Sequence, residues 1–336
     1  MLIIPQSEVE RLLPVAACVP VMREAMMATS RGDVSLPIRQ FMPVPGAAGK
    51  MAIMPGSLGT AGESEDASFG IKLVCKYERP LIDGKPDPLG THVGMVLLFD
   101  SVKGVPLAMV EGSSLTSIRT SAASALATDL LARRDATKLA IIGNGEQASR
   151  HIAAMQAVRD ISEVTVWGRE PSRAEEFAKS ASERFGVPVS AAPSAADAVA
   201  DADIVCTTTS AKEPVLSGAD LRPGLHINLV GSAIPTTSEV DHEAVRRARF
   251  YVDYRPAAMA AAGELLKAID AGVVTEGHIV AEIGEVAGDP SLARQSDEEI
   301  TCYKSLGVAA QDLAAAQAVF QAAQAGEAGL TVDLLA

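Results

Sequence analysis

No stretch of about 18 uncharged apolar residues occurs in this 336-residue chain, so neither a membrane-spanning helix nor a membrane partner is expected. The opening MLIIPQSEVERLL has no basic segment, and charges follow its short apolar start at once, which argues against a secretory signal. The four cysteines, Cys18, Cys75, Cys206 and Cys302, lie far apart with no CxxC pair. That spacing fits a reduced, cytoplasmic setting better than a disulfide framework or a zinc site. None of the five histidines pairs with a Cys or Asp at ligand spacing, so no metal is expected. Basic residues are outnumbered, 29 Lys and Arg against 42 Asp and Glu. The net charge of −13 repels nucleic acid and anionic membrane, and its main consequence is solubility. Ser113 and Ser114 have no nearby histidine and no G-x-S-x-G frame, which leaves hydrolase chemistry without support. No internal repeat is visible.

Core-forming material is abundant. Hydrophobic residues make up 48% of the chain, and the length suits about two domains. Ser7-Glu8-Val9-Glu10 has the form of a capping box, predicting a helix that runs to about Ser30. From Leu36 to Gly112 the runs LPIRQFMPV, KMAIMPG, FGIKLVCKYE, HVGMVLLFD and VPLAMVEG read as five strands, predicted antiparallel, with Asp100 to Gly104 as a hairpin turn and Gly59 to Ser68 as a polar loop. Leu115 to Arg134 is predicted helical. Beyond it strands and helices alternate, which predicts βαβ units and a parallel sheet. A last long helix spans GVAAQDLAAAQAVFQAAQAG. The fold class is therefore α/β: a Rossmann-type, doubly wound parallel sheet plus a smaller α+β domain of mainly antiparallel strands.

Within that alternation, KLAIIGNGEQASRHI carries Gly143-x-Gly145-x-x-Ala148 between a buried-type strand and a helix. Alone, the pattern is equally a common glycine turn. In context, the first glycine permits the tight turn, the second lets backbone approach a pyrophosphate, and Ala148 keeps helix and strand close. Glu146 and Gln147 open the helix whose unpaired N–H groups would meet the anion. The next strand ends in VWGREPSR, where NAD-preferring folds often carry an acid for the ribose. Here Gly168 and Arg169 stand there, with Ser172 and Arg173 behind, a set suited to a 2′-phosphate. NADP(H) is favoured; NAD(H) stays open because Glu170 could serve the ribose. Thr207, Thr208 and Thr209 follow a strand at its carboxyl end, as cofactor contacts or as caps.

LTSIRTSAASALATDLLAR, IIGNGEQA, DADIVCTTTS and EITCYKSLGVAAQDLAAA together resemble the ornithine cyclodeaminase/mu-crystallin family, in the family's order and over nearly the whole chain. The resemblance implies a dinucleotide domain over residues 126–309 and a smaller substrate-binding and dimerisation domain from residues 1–125 and 310–336, with the active site between them and a homodimeric assembly. It implies roles for Arg39 as a substrate-carboxylate arginine, Lys72 as the active-site lysine, and Arg119 as an arginine facing substrate and nicotinamide. Arg39 and Lys72 read as mid-strand charges among apolar residues, where a missing partner is costly. A charge pointing outward from an alternating strand is the other reading. Lys72 is a candidate proton donor; Lys76, on the same face, and water are rivals. Met54 and Thr91 are candidate pocket walls; His92, next to Thr91 at a strand start, reads as a plain polar residue, with an approach to the site as the other reading. Lys304, Ser305 and Gly307 in YKSLG are implied to pass close to the nicotinamide, with Gly231 and Ser232 on a further cofactor loop.

One departure selects a branch. Cyclodeaminases carry an aspartate in the segment that here reads GSAIPTTSEVD, and Ala233 occupies its place. Ring-closing deamination needs a carboxylate to handle the distal amine. Reduction of a preformed imine needs a held carboxylate, a hydride donor and one proton. The expected activity is thus NAD(P)H-dependent reduction of a small cyclic ketimine carboxylate, Δ1-pyrroline-2-carboxylate or Δ1-piperideine-2-carboxylate, to L-proline or L-pipecolate. The alternatives are an ornithine cyclodeaminase, an L-amino acid dehydrogenase, and, in another class, a ligand-binding protein of the mu-crystallin type.

Overall fold

A computed structural model describes residues 1–46, 49–59, 67–77 and 92–334. The chain divides into two compact units, residues 1–119 with 308–336, and residues 120–307.

The first unit opens with β1 (Leu2–Ile4), α1 (Gln6–Leu12) and α2 (Val15–Arg31). The Ser7 capping box does not form: Pro5 occupies the N-cap of α1, with no side-chain cap. The predicted single helix is also broken, because Pro14 forces Leu13 out of helical backbone. β1, inside the segment expected to lead only into a helix, pairs parallel with a distant strand. There follow β2 (Val34–Ser35), β3 (Gln40–Pro43), β4 (Lys50–Leu58), β5 (Ser68–Lys76), β6 (His92–Phe99), β7 (Pro106–Glu111) and α3 (Gly112–Leu131), whose later part belongs to the second unit. The five expected strands are all present, and β3 to β7 pair antiparallel in sequence. The Asp100 carboxylate closes the expected turn by accepting from the N–H groups of Val102 (2.9 Å) and Lys103 (2.6 Å).

The period-2 alternation of these strands sorts residues cleanly between faces. Ala52, Met54, Val96, Leu98, Ala108 and Val110 are buried on one face. Met42, Phe69, Val93 and Met95 lie on the other, each more than a third exposed.

The second unit is built from β8 (Lys138–Ile142), α4 (Glu146–Gln156), β9 (Glu163–Trp167), α5 (Pro171–Phe185), β10 (Val189–Ala191), α6 (Ala195–Val199), β11 (Ile204–Thr207), β12 (His226–Leu229), α7 (His242–Arg247), β13 (Ala248–Val252), α8 (Arg255–Ala261), α9 (Gly263–Asp270), β14 (Ile279–Glu282), α10 (Ile283–Gly288) and β15 (Ile300–Lys304). Its strands lie in the order β10-β9-β8-β11-β12-β15-β13-β14, every pair parallel. Strands covered on both faces need apolar residues at every position rather than alternation. Accordingly β11 and β12 are buried throughout. The polar exceptions are bonded: Asn228 donates to Thr128 Oγ1 (2.9 Å) and His226 Nδ1 meets Thr301 Oγ1 (3.0 Å). The strand order reverses between β8 and β11, where open α/β sheets bind dinucleotides.

The chain then returns to the first unit with α11 (Ala309–Ala325) and β16 (Leu330–Thr331). α11 packs on α2 and on the buried face of β4, β5 and β6. No single described helix is long and apolar enough to cross a membrane. Among the described residues no group of three or more His, Cys, Asp or Glu could hold a metal.

Candidate active site

In the first unit, Lys72 sits at the centre of β5, on the face that α11 covers. It is 3% exposed, and an ammonium so dry needs a partner. Its Nζ donates to Asp312 Oδ1 at 2.8 Å. Arg119, about two turns into α3, donates through Nε to the same oxygen at 2.9 Å. Its Nη1 donates to Gln311 Oε1 at 2.9 Å, which fixes the plane of the guanidinium. Asp312 lies in the first turn of α11, where the helix dipole favours a carboxylate. Its Oδ2 is buried and accepts no hydrogen bond among the described residues.

Burial pushes the Lys72 ammonium down to about 7; Arg119 and Arg39 push the same way, while Asp312 resists. Burial alone would raise the Asp312 carboxyl, but Arg119 and then Lys72 hold it below the usual carboxylate range. The result is an ionised aspartate facing a lysine that can give up a proton near neutrality, the condition for an efficient general acid.

The other expected residues distribute as follows. Arg39 is not mid-strand: it is half-buried in the segment before β3, near enough to act on both Lys72 and His92. Met54 is directly opposite Lys72 on β4 and is buried. Thr91 lies outside the described residues. Lys76 shares the Lys72 face but is exposed, paired across the sheet with His92. Desolvation, and then the cations Lys76, Lys72 and Arg39, push His92 down to about 4. Sequence reasoning missed Asp312 and Gln311. The available signal was that Asp312 is the single charged residue in AAQDLAAAQAVFQAAQA.

In the second unit, Gly143 has φ +120°, a conformation that disfavours any side chain, and a Cβ there would meet Thr208 Oγ1 at 2.8 Å. Gly145 differs. It is the extended N-cap of α4, with no side-chain cap, and nothing lies within 4 Å of where its Cβ would be. Space beside a helix N-terminus with orphan N–H groups fits a pyrophosphate. Ala148 is fully buried, as close helix–strand packing requires. Glu146 and Gln147 start α4, and Gln147 Oε1 is buried with no hydrogen-bond partner among the described residues. Arg169, Ser172 and Arg173 are exposed around the start of α5. Glu170 is the N-cap residue and lies 3.9 Å from Arg173. A cleft of about 580 Å³ opens beside Trp167, walled by Ser194, Pro214 and Val215.

Thr207 and Thr209 turn their hydroxyls inward to the buried Glu239, and the amides of Gly231 and Ser232 do the same. Thr208 is half-buried and faces Gly143. Lys304 is fully buried, with Nζ 3.2 Å from Glu264 Oε1 and bonded to the Ser232 carbonyl. Ser305 is buried beside it. Gly307 has φ +75°, and its N–H, with that of Leu306, donates to Asp253 Oδ2 at 2.8 Å. Ala233 is half-buried against the core of this unit. Glu239 and Glu264 were also missed, because nothing in a sequence marks an acid as buried.

The profile of the Ornithine cyclodeaminase/mu-crystallin family matches residues 1–327. The chain belongs to that family. Among its members, Δ1-pyrroline-2-carboxylate reductase of Bacillus cereus is 36% identical over 324 residues, 96% of this chain and 97% of that protein. Ketimine reductase mu-crystallin of Mus musculus is 35% identical over 312 residues, 92% of this chain and 93% of its own length. Among solved structures, Thermococcus litoralis Δ1-pyrroline-2-carboxylate reductase in complex with NADH and L-proline superposes with a TM-score of 0.92 at 32% identity, covering 99% of this chain and 100% of the other. The Rossmann-type fold expected from the alternating strands is thus the family's fold.

Proposed function

We propose that this family member reduces a small cyclic ketimine carboxylate, Δ1-pyrroline-2-carboxylate or Δ1-piperideine-2-carboxylate, to the corresponding L-imino acid. It is an oxidoreductase acting on the C=N bond with a nicotinamide cofactor. The observation that carries the reading is the buried Lys72–Asp312–Arg119 cluster, with Arg39 near it. Two cations share one carboxylate oxygen, so the cluster is short of an anion that a substrate carboxylate supplies. Arg39 and Arg119 hold that carboxylate by charge-assisted bonds of about 1.5–3 kcal/mol each. Lys72 gives its proton to the imine nitrogen and is poised to do so near neutral pH. The reduced nicotinamide, when bound, supplies hydride to the imine carbon. Met54 walls the site opposite Lys72.

Residues 120–307 are the dinucleotide unit in this proposal. The Gly143–Ala148 loop and the start of α4 hold the pyrophosphate, and the cleft beside Trp167 receives the adenine end. Arg169, Ser172 and Arg173 favour the 2′-phosphate of NADPH, since a guanidinium matches phosphate geometry. Residues 1–119 and 308–336 form the substrate unit and the homodimer contact. The uncovered apolar face with Met42, Phe69, Val93 and Met95 supports a second copy as its occupant. Four free thiols, three of them buried, suit a reducing cytoplasmic compartment.

The deciding experiment offers the purified protein NADPH or NADH with each ketimine, with pyruvate plus ammonia, and L-ornithine with NAD, following nicotinamide absorbance and ammonia release. Ketimine reduction with no ornithine turnover is expected. Ornithine deamination would overturn the reading of Ala233, and a strong NADH preference would overturn that of Arg169.

A further inference from the structure

Glu239 lies in the same GSAIPTTSEVD segment as Ala233, and no step above uses it. Five donors converge on its carboxylate. Oε2 accepts from Thr207 Oγ1 (2.7 Å), Gly231 N (2.7 Å) and Ser232 N (3.3 Å); Oε1 accepts from Thr209 N (2.8 Å) and Thr209 Oγ1 (2.8 Å). Burial raises the pKa of this group, but a protonated carboxyl would lose acceptor sites that these donors fill, so the donor set selects the carboxylate. Its own N–H donates to Glu264 Oε1 (3.2 Å), which also takes Lys304 Nζ. One buried network therefore ties the carboxyl ends of β11, β12 and β15.

A trans peptide points its N–H and the preceding carbonyl in opposite directions. Drawing the amides of Thr209, Gly231 and Ser232 onto Glu239 therefore turns the carbonyls of Thr208, Val230 and Gly231 away from it. The Thr208 carbonyl consequently lies 3.0 Å from the Cβ position of Gly143, at the reversal of strand order. These strands form the second mononucleotide-binding half of the sheet, next to the half that carries the glycine loop. A nicotinamide nucleotide brings donors to that half: a carboxamide NH2 and two ribose hydroxyls.

We infer that Glu239 is a positioning residue for the nicotinamide half of the cofactor, orienting three strand-end peptides so that their carbonyls accept from the carboxamide and ribose. This rests on the nicotinamide reading proposed above. It differs from a general structural role in one respect: it concerns one half of the dinucleotide only.

The test is fluorescence titration of wild type and Glu239→Gln with the reduced dinucleotide that wild type binds more tightly, NADPH or NADH, beside calorimetric titration with its adenosine fragment, 2′,5′-ADP or 5′-ADP. The glutamine amide turns an NH2 toward donors. Dinucleotide Kd is expected to rise about tenfold, the equivalent of one lost charge-assisted bond, while fragment Kd stays within about twofold. Equal weakening of both ligands, or of neither, overturns the inference. Should Glu239→Gln not fold, Thr207→Val decides by the same split, expected at about threefold. Failure of wild type to bind either dinucleotide would instead sink the cofactor reading.

Discussion

The two units bury charge in opposite ways. In the first, Lys72 and Arg119 crowd one oxygen of Asp312, whose other oxygen accepts nothing among the described residues. In the second, both oxygens of Glu239 are filled by hydroxyls and backbone amides, and Glu264 is paired one to one with Lys304. Buried ions are tolerated when paired and fully hydrogen-bonded, and costly otherwise. The saturated network is what a scaffold looks like. The lopsided one, with surplus positive charge, is what a site for an anionic substrate looks like.

Replacing each lysine breaks this comparison most sharply. Lys72→Met removes the surplus cation and leaves Asp312 and Arg119 one to one. Reduction should fall by about 10²–10⁴-fold, the usual worth of a positioned acid, with the melting temperature unchanged or higher. A stability loss like that of a structural lysine would remove Lys72 from the active role. Lys304→Met does the reverse. It leaves Glu264 buried without its cation, and unfolding titrations should show a loss of about 3–5 kcal/mol.

Asp312→Asn sharpens the same contrast through pH. Asp312 raises the Lys72 pKa from where burial would put it, so its removal lowers that pKa further. Wild-type kcat/KM should fall as pH rises through about 7, where Lys72 loses its proton. In the variant that limb should move to lower pH by about 1–3 units, the usual effect of a neighbouring opposite charge. Titration of the imine itself is common to both enzymes and cancels in the shift. Stability carries a second signature. The folded pKa of Lys72 lies below its ordinary 10.5, so the unfolded chain binds more protons between about 7 and 10.5 and stability should rise with pH across that window. Lys72→Met should lack the rise. An unmoved limb in Asp312→Asn would show that Lys72 does not set it.

What was legible in the sequence divides along similar lines. Periodicity exposed β3 to β7 and the parallel sheet, because alternation and continuous apolar runs follow directly from one-sided and two-sided burial. Gly143 was legible because a turn at φ +120° against Thr208 leaves few other residues possible. Lys72 and Arg119 were marked by family likeness, since a single charge in a strand has no period to betray its direction. Asp312, Glu239 and Glu264 were missed. Asp312 takes its meaning from Lys72, 240 residues away, and nothing in a sequence marks Glu239 or Glu264 as buried. The Ser7 capping box failed for a local reason: the helix start was already set at Pro5, two residues earlier.

The smallest expected effect on the fold belongs to Gly145, and its contrast with Gly143 sharpens the division between scaffold and site within three residues. Gly143→Ala meets both a left-handed backbone and Thr208, so it should destabilise the unit whether or not a cofactor is present. Gly145→Ala meets neither: its φ of −93° suits alanine, and its Cβ position is open. Alanine is the poorer N-cap, by about 0.5–1 kcal/mol, while the smaller entropy of its unfolded chain returns about 0.4–1 kcal/mol. The melting temperature of the unliganded protein should therefore hardly change. The methyl group would occupy the room assigned to the pyrophosphate, and the Kd for the reduced dinucleotide, followed by fluorescence, should rise about tenfold or more, since even slight displacement from the helix N-terminus forfeits charge-assisted bonds. A Gly145→Ala protein that binds the dinucleotide as wild type does would mean that this open space serves the turn alone.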